Sequence, residues 1–270
     1  MISQQRQDYI LKTAQKNGFV SIPKTAEKLG VSVETVRRDI NALCQKNQLK
    51  KVHGGAAPVK APIWIDEAYS VRIQRNQQGK IAIAKEAAKM IRDRSVVSFD
   101  GGATTEVLVS YIQNVQNVTF VVNSLPIAMA LQDKISAGEI SGTVIVTGGQ
   151  ITAAGYRSYT FMAMDAMEKY HYDVVFISAT ALSATGVSNS ATNTGIYAQR
   201  LMRRASTCVL LADSDKLGKH SVMDFAKPTD FDRIIIDDKL PCPADLLAVI
   251  NDSDTELTIV SSDGRKRFPD

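Results

Sequence analysis

The sequence predicts an α/β protein in which a small basic domain precedes a larger domain built on a mostly parallel sheet. Its 270 residues suit one large domain with an appendage. Beyond residue 80, short apolar segments alternate with amphipathic helical patterns, which is typical of a parallel sheet covered by helices on both faces. Charge is uneven, since residues 1–60 hold 11 of the 32 Lys and Arg but 4 of the 28 Asp and Glu. The first part therefore suits a polyanionic partner, although an inert basic helical domain would carry the same charge.

The composition excludes several classes of protein. Apolar residues at 44% and charged residues at 22% are ordinary for a globular chain, which excludes extensive disorder and fibrous repeats. No run of about 18 apolar residues occurs, and the first residues lack the apolar core of a secretory signal, so we expect no membrane span. Three widely spaced cysteines, Cys44, Cys208 and Cys242, make no disulfide framework and predict a cytoplasmic protein.

Residues 1–57 are predicted to form one domain of three short helices and a hairpin. The first helix is expected at residues 3–17. A hydroxyl and a proline at Ser21 and Pro23 are typical of a helix start, and Gly30 is typical of a helix end. Ser32 then stands where it can cap a third helix.

The third helix has the most informative pattern in the chain. Val36, Ile40 and Leu43 lie at i, i+4 and i+7 and form an apolar stripe, so the polar residues between them face outward. Two helices joined by a tight turn, the second rich in Arg, Asn and Thr, describe a helix-turn-helix that binds the major groove of DNA. Arg can pair with guanine and Asn with adenine, while hydroxyls reach phosphates. A solvated Arg-rich helix face is the alternative interpretation.

Residues 49–55 alternate in polarity and then turn on two glycines, which predicts the hairpin wing that often accompanies such a helix. We therefore expect a double-stranded DNA operator as a partner, and a homodimer or homotetramer, because such motifs read paired half-sites. The predicted DNA-binding residues are Ser32, Thr35, Arg37, Arg38, Asn41, Lys50, Lys51 and His53.

The second domain follows a linker. Pro58 and Pro62 interrupt any helix after the wing, so we assign residues 58–79 to a linker and residues 80–270 to the α/β domain, with a helix beginning near Asp66. The predicted strands of the α/β domain are 95–100, 118–123, 143–147, 173–179, 208–213, 233–237 and 257–260. The predicted helices are 80–92, 104–113, 125–134, 158–170 and 195–206.

A glycine turn follows the first of these strands, at residues 100–105 (DGGATT). Ligands of open parallel sheets bind beyond the carboxyl ends of the strands, and a glycine turn with nearby hydroxyls can bind an anion. Turns at 123–124 and 148–149 end two other strands, and Lys216 follows a fourth, where it could neutralise a phosphate. Each turn alone also suits a purely structural connection. The predicted effector-binding residues are Asp100, Gly101, Gly102, Ala103, Thr104, Thr105, Asn123, Ser124, Gly148, Gly149 and Lys216.

Other chemistry has less support. The sequence contains neither GxxxxGK[ST] nor GxGxxG, so we expect no nucleotide cofactor. It also lacks a GxSxG elbow, so a serine hydrolase has no support. His53, His171 and His220 are isolated and no Cys/His pair has ligand spacing, so we expect no metal site.

Nearly the whole chain, from about residue 3 to about residue 238, resembles the DeoR family of bacterial transcriptional repressors. In the head, the resemblance rests on residues 31–40 (VSVETVRRDI) and 53–55 (HGG). In the body it rests on the turns at 100–105, 122–124, 148–149 and 213–216 (DSDK). The resemblance implies a winged helix-turn-helix followed by a sensor domain similar in fold to ribose-5-phosphate isomerase, which binds phosphorylated sugars or related metabolites.

Two segments depart from the family pattern. Residues 178–181 (SATA) stand where the family is usually glycine-rich, and residues 186–193 are rich in hydroxyls and amides where acidic residues are common. These departures favour a different polyol or sugar derivative as the ligand.

The resemblance thus implies a DNA-binding repressor of a carbohydrate or polyol utilisation operon, controlled by a small phosphorylated sugar metabolite, and not an enzyme. The alternative is a sugar-phosphate isomerase-like enzyme with an accessory DNA-binding head. Isomerisation needs a positioned base, for which Asp100 and Asp213 are the candidates. Turnover of phosphorylated pentoses would separate the two hypotheses.

Overall fold

The computed structural model of the chain describes residues 3–17, 20–46, 48–52, 54–58, 73–151 and 157–262. The chain divides into two compact units, Met1–Ile63 and Trp64–Asp270. The finer division into a linker at 58–79 and a body from residue 80 stays a prediction. His53 and the helix expected near Asp66 lie outside the described residues.

The N-terminal unit has the predicted helices and hairpin. Its elements are α1 (Ser3–Asn17), β1 (Val20–Ser21), α2 (Ile22–Leu29), α3 (Val33–Gln45), β2 (Leu49–Val52) and β3 (Gly55–Pro58). The three strands form an antiparallel sheet in the order β1-β3-β2. Ile10 of α1 packs with Val36 and Ile40 of α3 in a small core, which confirms the predicted apolar stripe.

The C-terminal unit contains two sheets. Its strands are β4 (Val96–Phe99), β5 (Val118–Val122), β6 (Gly142–Val146), β7 (Val174–Ser178), β8 (Ala181–Leu182), β9 (Val187–Asn189), β10 (Cys208–Ala212), β11 (Met223–Ala226), β12 (Arg233–Asp237) and β13 (Glu256–Val260). Seven of them form a parallel sheet in the order β13-β12-β10-β7-β4-β5-β6. All seven predicted strands are present in it. The small antiparallel sheet β11-β9-β8 was not predicted.

Helices cover both faces of the parallel sheet. They are α4 (Gln77–Ala88), α5 (Ala103–Val109), α6 (Leu125–Ser136), α7 (Phe161–Met167), α8 (Thr192–Met202) and α9 (Ala244–Asn251). Helices α4 to α6 pack into one apolar cluster and α7 to α9 into a second. The helix predicted at 158–170 is shorter at both ends. Residues 157 and 158 instead form extended bridges to neighbouring segments. Among the described residues, no helix is long and apolar enough to cross a membrane.

The strand order places a switch point between β4 and β7. From β4 the chain continues outward through β5 and β6, whereas β7, β10, β12 and β13 extend from the other side of β4. The connections leaving β4 and β7 therefore diverge and leave a crevice at their carboxyl ends, which is where ligands of such sheets bind. Asp100 and the glycine turn follow β4 directly at this point.

Candidate functional site

The predicted DNA-binding helix α3 begins at a capped, exposed end. The Ser32 hydroxyl accepts a hydrogen bond from the Thr35 backbone N–H at 3.1 Å and lies 2.8 Å from the Thr35 hydroxyl. Both predicted phosphate-binding hydroxyls thus take part in the cap, which satisfies an N–H group that the helix leaves without a partner.

The polar side chains of α3 differ in how they are held. Arg37 and Arg38 are exposed, and Asn41 is half-buried. Arg37 forms an ion pair with Glu34, with 2.9 Å between its Nη1 and Glu34 Oε2. Among the described residues, Arg38 has no hydrogen-bond or ion-pair partner, so its guanidinium can pair with a base without breaking an existing contact.

Asp39, in the middle of the same run, serves the fold. It is buried, and its carboxylate accepts hydrogen bonds from the Arg6 guanidinium at 2.8 Å, the Ser3 hydroxyl at 2.9 Å and the Gln7 amide at 3.3 Å. Burial alone would raise the pKa of Asp39, but these hydrogen bonds outweigh burial and lower it. The contact fixes α3 against α1 and thereby sets the direction of its exposed face.

The wing strand β2 presents Lys50 and Lys51, both exposed, beside α3. Helix α3 also contacts this strand directly. The predicted phosphate contacts of the wing therefore lie on the same unit as the recognition helix, while His53 lies outside the described residues.

At the sheet's switch point, the Asp100 carboxylate ties the glycine turn to the end of β7. Its Oδ1 accepts hydrogen bonds from the Gly102 N–H at 2.9 Å and the Thr105 hydroxyl at 3.1 Å. Its Oδ2 accepts hydrogen bonds from the Ser178 N–H at 2.7 Å and the Ser178 hydroxyl at 2.9 Å. Asp100 and Thr105 are thus both used within the protein, so they position the turn rather than offer free groups to a ligand.

The two glycines of the turn have different reasons to be glycine. Gly101 has a φ of +77°, and a Cβ there would lie 2.6 Å from Cδ of Arg157. Gly102 has an ordinary φ of −72°, but a Cβ there would lie 1.7 Å from the Ser178 hydroxyl oxygen. Gly102 therefore allows β7 to approach the turn, which differs from the predicted role of admitting an anion.

Three buried polar atoms without partners in the described part of the chain lie at the same edge of the sheet as this turn. They are Thr104 Oγ1 after β4, Asn123 Oδ1 after β5 and Thr147 Oγ1 after β6, and none has a hydrogen-bond partner among the described residues. The amide of Asn123 is oriented by its other end, which donates to the Ser158 carbonyl at 2.8 Å. Buried polar atoms are nearly always satisfied in proteins, so a row of them at the carboxyl ends of adjacent strands indicates a site for hydroxyl-bearing ligands or water.

Arg157 is the cation that lies on the glycine turn, and sequence reasoning did not find it. Its side chain is buried, packs on Gly101, and donates from Nη1 to the Tyr159 hydroxyl at 3.0 Å. A backbone bridge joins Arg157 to the predicted site residue Ser124. The available signal was its isolation, because Arg157 is the only charged residue between Glu139 and Asp165.

The electrostatics of this site centre on Arg157. Burial raises the pKa of Glu106 on α5, and the charge of Arg157 opposes that shift. Burial also raises the pKa of Tyr159, again opposed by Arg157. Burial thus disfavours the charged forms of Glu106 and Tyr159 beside Arg157, and a buried guanidinium in such surroundings is suited to hold an anion.

Lys216 follows the fourth strand, as predicted, and is paired there with a carboxylate. It lies after β10, two strands from β4, where its ammonium is 3.6 Å from Asp213 Oδ2. The buried Lys80 shares that oxygen at 3.3 Å. Burial alone would raise the pKa of Asp213, but the charges of Lys216 and Lys80 outweigh burial and lower it. In the structure, Lys216 is thus paired with a carboxylate that also binds a second cation, Lys80. The spacing of residues in the sequence could not show this, because Lys80 is far from Asp213 along the chain.

The remaining predicted residues lie at the same carboxyl edge of the sheet. Gly148 and Gly149 follow β6 with positive φ angles, and a Cβ at Gly149 would lie 2.1 Å from the Thr160 hydroxyl oxygen. A Cβ at Gly148 would meet no atom within 4 Å. Ala103 begins helix α5 and is half-buried. The structure therefore brings all predicted effector residues except Lys216 to the ends of β4, β5 and β6.

A second cleft, of about 590 Å³, lies at the opposite end of the sheet. Arg94 and Ser95 line it before β4, as do Asp173 before β7 and Thr207 before β10. These are the amino ends of the strands, away from the switch point, so the carboxyl end remains the better candidate. The described residues contain no group of three His, Cys, Asp or Glu that could hold a metal ion.

Comparison with protein families matches both halves of the chain. Residues 6–61 match the DeoR-like helix-turn-helix domain, and residues 75–238 match the DeoR C terminal sensor domain. The chain belongs to the DeoR family. The resemblance found in the sequence is thereby confirmed, and this DeoR-family chain is a DNA-binding transcriptional regulator.

Named relatives of this DeoR-family chain agree. It is 29% identical over 240 residues to the HTH-type transcriptional regulator GolR of Listeria innocua, over 87% of this chain and 91% of that protein. It is 31% identical over 233 residues to the HTH-type transcriptional regulator IolR of Bacillus subtilis, over 86% of this chain and 87% of that protein. These relatives are regulators, which decides against the isomerase-like enzyme.

A solved ribose 5-phosphate isomerase A from Methanocaldococcus jannaschii also aligns with the DeoR-family chain. The alignment covers 53% of this chain and 55% of that chain, with 18% identity and a TM-score of 0.35. A TM-score this low does not identify a fold. The α/β assignment rests instead on the parallel sheet and on the sensor-domain match.

Proposed function

We propose that this DeoR-family regulator is a repressor of a carbohydrate or polyol utilisation operon, released or tightened by a small phosphorylated sugar or polyol. The proposal includes a homodimer or homotetramer, because helix-turn-helix domains read paired half-sites on DNA. It also places the protein in the cytoplasm.

In the head, α3 enters the major groove and the wing contacts the backbone. Arg38 reads a base, and Asn41 is the second base-reading candidate on the same face. Ser32, Thr35 and Arg37 contact phosphates at the start of the helix, and the lysines and His53 of the wing add charge. What supports this is the capped helix α3 with a solvent-facing Arg38, held in direction by the buried Asp39 contact.

In the body, the effector binds at the carboxyl ends of β4, β5 and β6. The observation that carries this step is the buried Arg157 over the glycine turn, beside three buried polar atoms without partners. Arg157 holds the anionic group, and Thr104, Asn123 and Thr147 bond ligand hydroxyls. Asp100 and Thr105 keep the turn in place, so Arg157 replaces Lys216 as the proposed countercharge.

Regulation follows if the ligand binds one arrangement of the head domains better than another. A coupling free energy of about 1–3 kcal/mol would change operator affinity by about 5–150-fold. Residues 186–193 carry hydroxyl and amide groups where acidic residues are common in the family, which favours a polyol or sugar derivative over a cationic ligand.

The test is a gel shift with an operator selected from random duplexes, over a panel of sugar and polyol phosphates and their unphosphorylated counterparts. We expect one phosphorylated compound to change the affinity of the wild type. Arg157→Ala should abolish that response with operator affinity unchanged, and Arg157→Lys should retain part of it. Lys216→Ala is the matched control and should respond like the wild type.

Circular dichroism checks that each variant is folded. An equal response in all four proteins would place the ligand elsewhere. A response confined to unphosphorylated compounds would overturn the phosphate assignment while leaving the site.

A further inference from the structure

The α/β domain concentrates its exposed apolar side chains at one corner. Of ten exposed large apolar side chains among the described residues, six belong to the end of the edge strand β6, the segment after it and the first turns of the flanking helices α6 and α7. We name these six the β6 corner: Leu125, Met129, Val146, Ile151, Phe161 and Met162. Isolated exposed apolar residues are ordinary, but this clustering is not.

The topology explains how the β6 corner forms. Val146 ends β6, which pairs with β5 on one side and, in the part of the chain that the structure describes, has no strand on the other. Leu125 begins α6 directly after the end of β5. Backbone bridges from Ser124 to residue 157 and from Ile151 to residue 158 bring the start of α7, with Phe161, to the same end of the same edge.

The sequence around the corner is depleted of charge. Residues 107–164 contain four charged residues, although 22% of the chain is charged. One of the four, Arg157, is buried in the effector site, and the other three lie between residues 133 and 139, near the end of α6 and after it. Loss of charge with enrichment of Phe and Met is the composition found at the centre of protein interfaces.

The exposed area is large enough for a stable contact. Phe161 is 75% exposed, Met162 70% and Met129 67%. At about 200 Å² for each fully exposed side chain, these three alone present about 400 Å². A standard interface covers about 800 Å² per partner, of which about 500 Å² is apolar, so the six side chains supply most of that apolar part.

We propose that the β6 corner is the surface through which two copies of this chain form a dimer. An isologous interface needs the same apolar patch on both partners, and the corner provides it in each copy. The choice of a second copy also rests on the proposed function, since paired half-sites require a two-fold axis. The head is a poor occupant, because Val33 is its one exposed large apolar side chain in the part described.

Sedimentation velocity and light scattering of the full chain at micromolar concentration test this interface without DNA or effector. The double variant Phe161→Glu/Met162→Glu places two carboxylates in the corner. Val222→Glu is the matched control, because Val222 is 53% exposed and lies outside the corner. Circular dichroism and thermal melting monitor the fold of each variant.

We expect the wild type and Val222→Glu to be dimers or tetramers and the double variant to have half the wild-type mass. A monomeric wild type, an unchanged mass in the folded double variant, or an equal loss in Val222→Glu would each overturn the proposal. Should the double variant unfold, the single variant Met129→Glu, on the other side of the edge, must also lower the mass. Because operator and effector are absent, failure here is distinct from failure of the proposed ligand site.

Discussion

Asp100 and Ser178 join the two strands that flank the switch point, with 2.7 Å between Asp100 Oδ2 and the Ser178 backbone nitrogen. Gly102 lies in the same contact, since a Cβ there would come 1.7 Å from the Ser178 hydroxyl oxygen. The glycine turn is therefore part of the packing between β4 and β7 before it is part of any ligand site.

Gly102→Ala should accordingly destabilise the α/β domain. The added methyl group forces the turn and Ser178 apart, at a cost of about 1–3 kcal/mol. Ser178→Gly removes the obstructing side chain, although it also removes a hydroxyl donor to Asp100. We expect the double variant to be less destabilised than the sum of the two single variants in urea unfolding. Strict additivity would show that the two residues do not oppose each other.

Asp39→Ala should loosen α3 from α1. It removes the acceptor of the hydrogen bonds from three side chains, Arg6, Ser3 and Gln7, and we expect a loss of about 1–3 kcal/mol in the stability of the head. Hydrogen exchange of α1 and α3 amides in the full chain measures it. Glu34→Ala is the control, because its exposed pair with Arg37 should contribute at most about 1 kcal/mol.

The same carboxylate predicts an acid sensitivity. The pKa of Asp39 is lowered in the folded head, so its ionised form stabilises the head above the ordinary carboxyl range. That stabilisation should disappear as the pH falls through the lowered pKa. The wild type and Asp39→Ala should therefore converge in α3 exchange protection at acid pH, whereas a constant difference would assign the stabilisation to packing alone.

Arg38→Ala should weaken operator binding and relax discrimination at one base pair. A bidentate contact to guanine contributes about 1–3 kcal/mol of discrimination, which corresponds to about 5–150-fold. Arg37→Ala, the neighbouring control, should weaken binding to all sequences alike, because Arg37 is assigned to phosphate. Affinities for single-base variants of the operator distinguish the two outcomes. Unchanged discrimination in Arg38→Ala would remove that residue from base reading.

Lys50→Ala should reduce binding to every duplex and lower the slope of log affinity against log salt by about one. Lys89→Ala, exposed on the α/β domain, should leave the slope unchanged. Titrations at several salt concentrations measure both. An unaltered slope in Lys50→Ala would show that the wing does not contact phosphate.

The regular elements were predictable because their signals are local. Residues 233–237 contain a short continuous apolar run, which is typical of a strand buried on both faces, and β12 occupies Arg233–Asp237. The small sheet escaped prediction because β9 is three residues long and ends in polar side chains. Helix α9 was missed because it follows a proline-rich turn beyond the last clear alternation.

The site was predicted less completely, because its members meet only through tertiary contacts. The turn at 100–105 was predictable from its glycines and hydroxyl-bearing residues, which directly follow a predicted strand. Arg157 belongs to no recognisable sequence motif. Its position over Gly101 depends on a backbone bridge to Ser124, which is distant in sequence. Lys216 had the right chemistry, but the burial of Lys80 beside Asp213 could not be read from spacing.

The order of the strands also determines when the protein can complete its sheet during synthesis. The head has every residue it needs within the first 63, so it can fold while the rest of the chain is still being made. Strand β4 can pair with β5 soon afterwards, but its other neighbour ends at Ser178, 78 residues after Asp100. A nascent chain thus carries a DNA-binding head well before the contact between Asp100 and Ser178 can close the switch point.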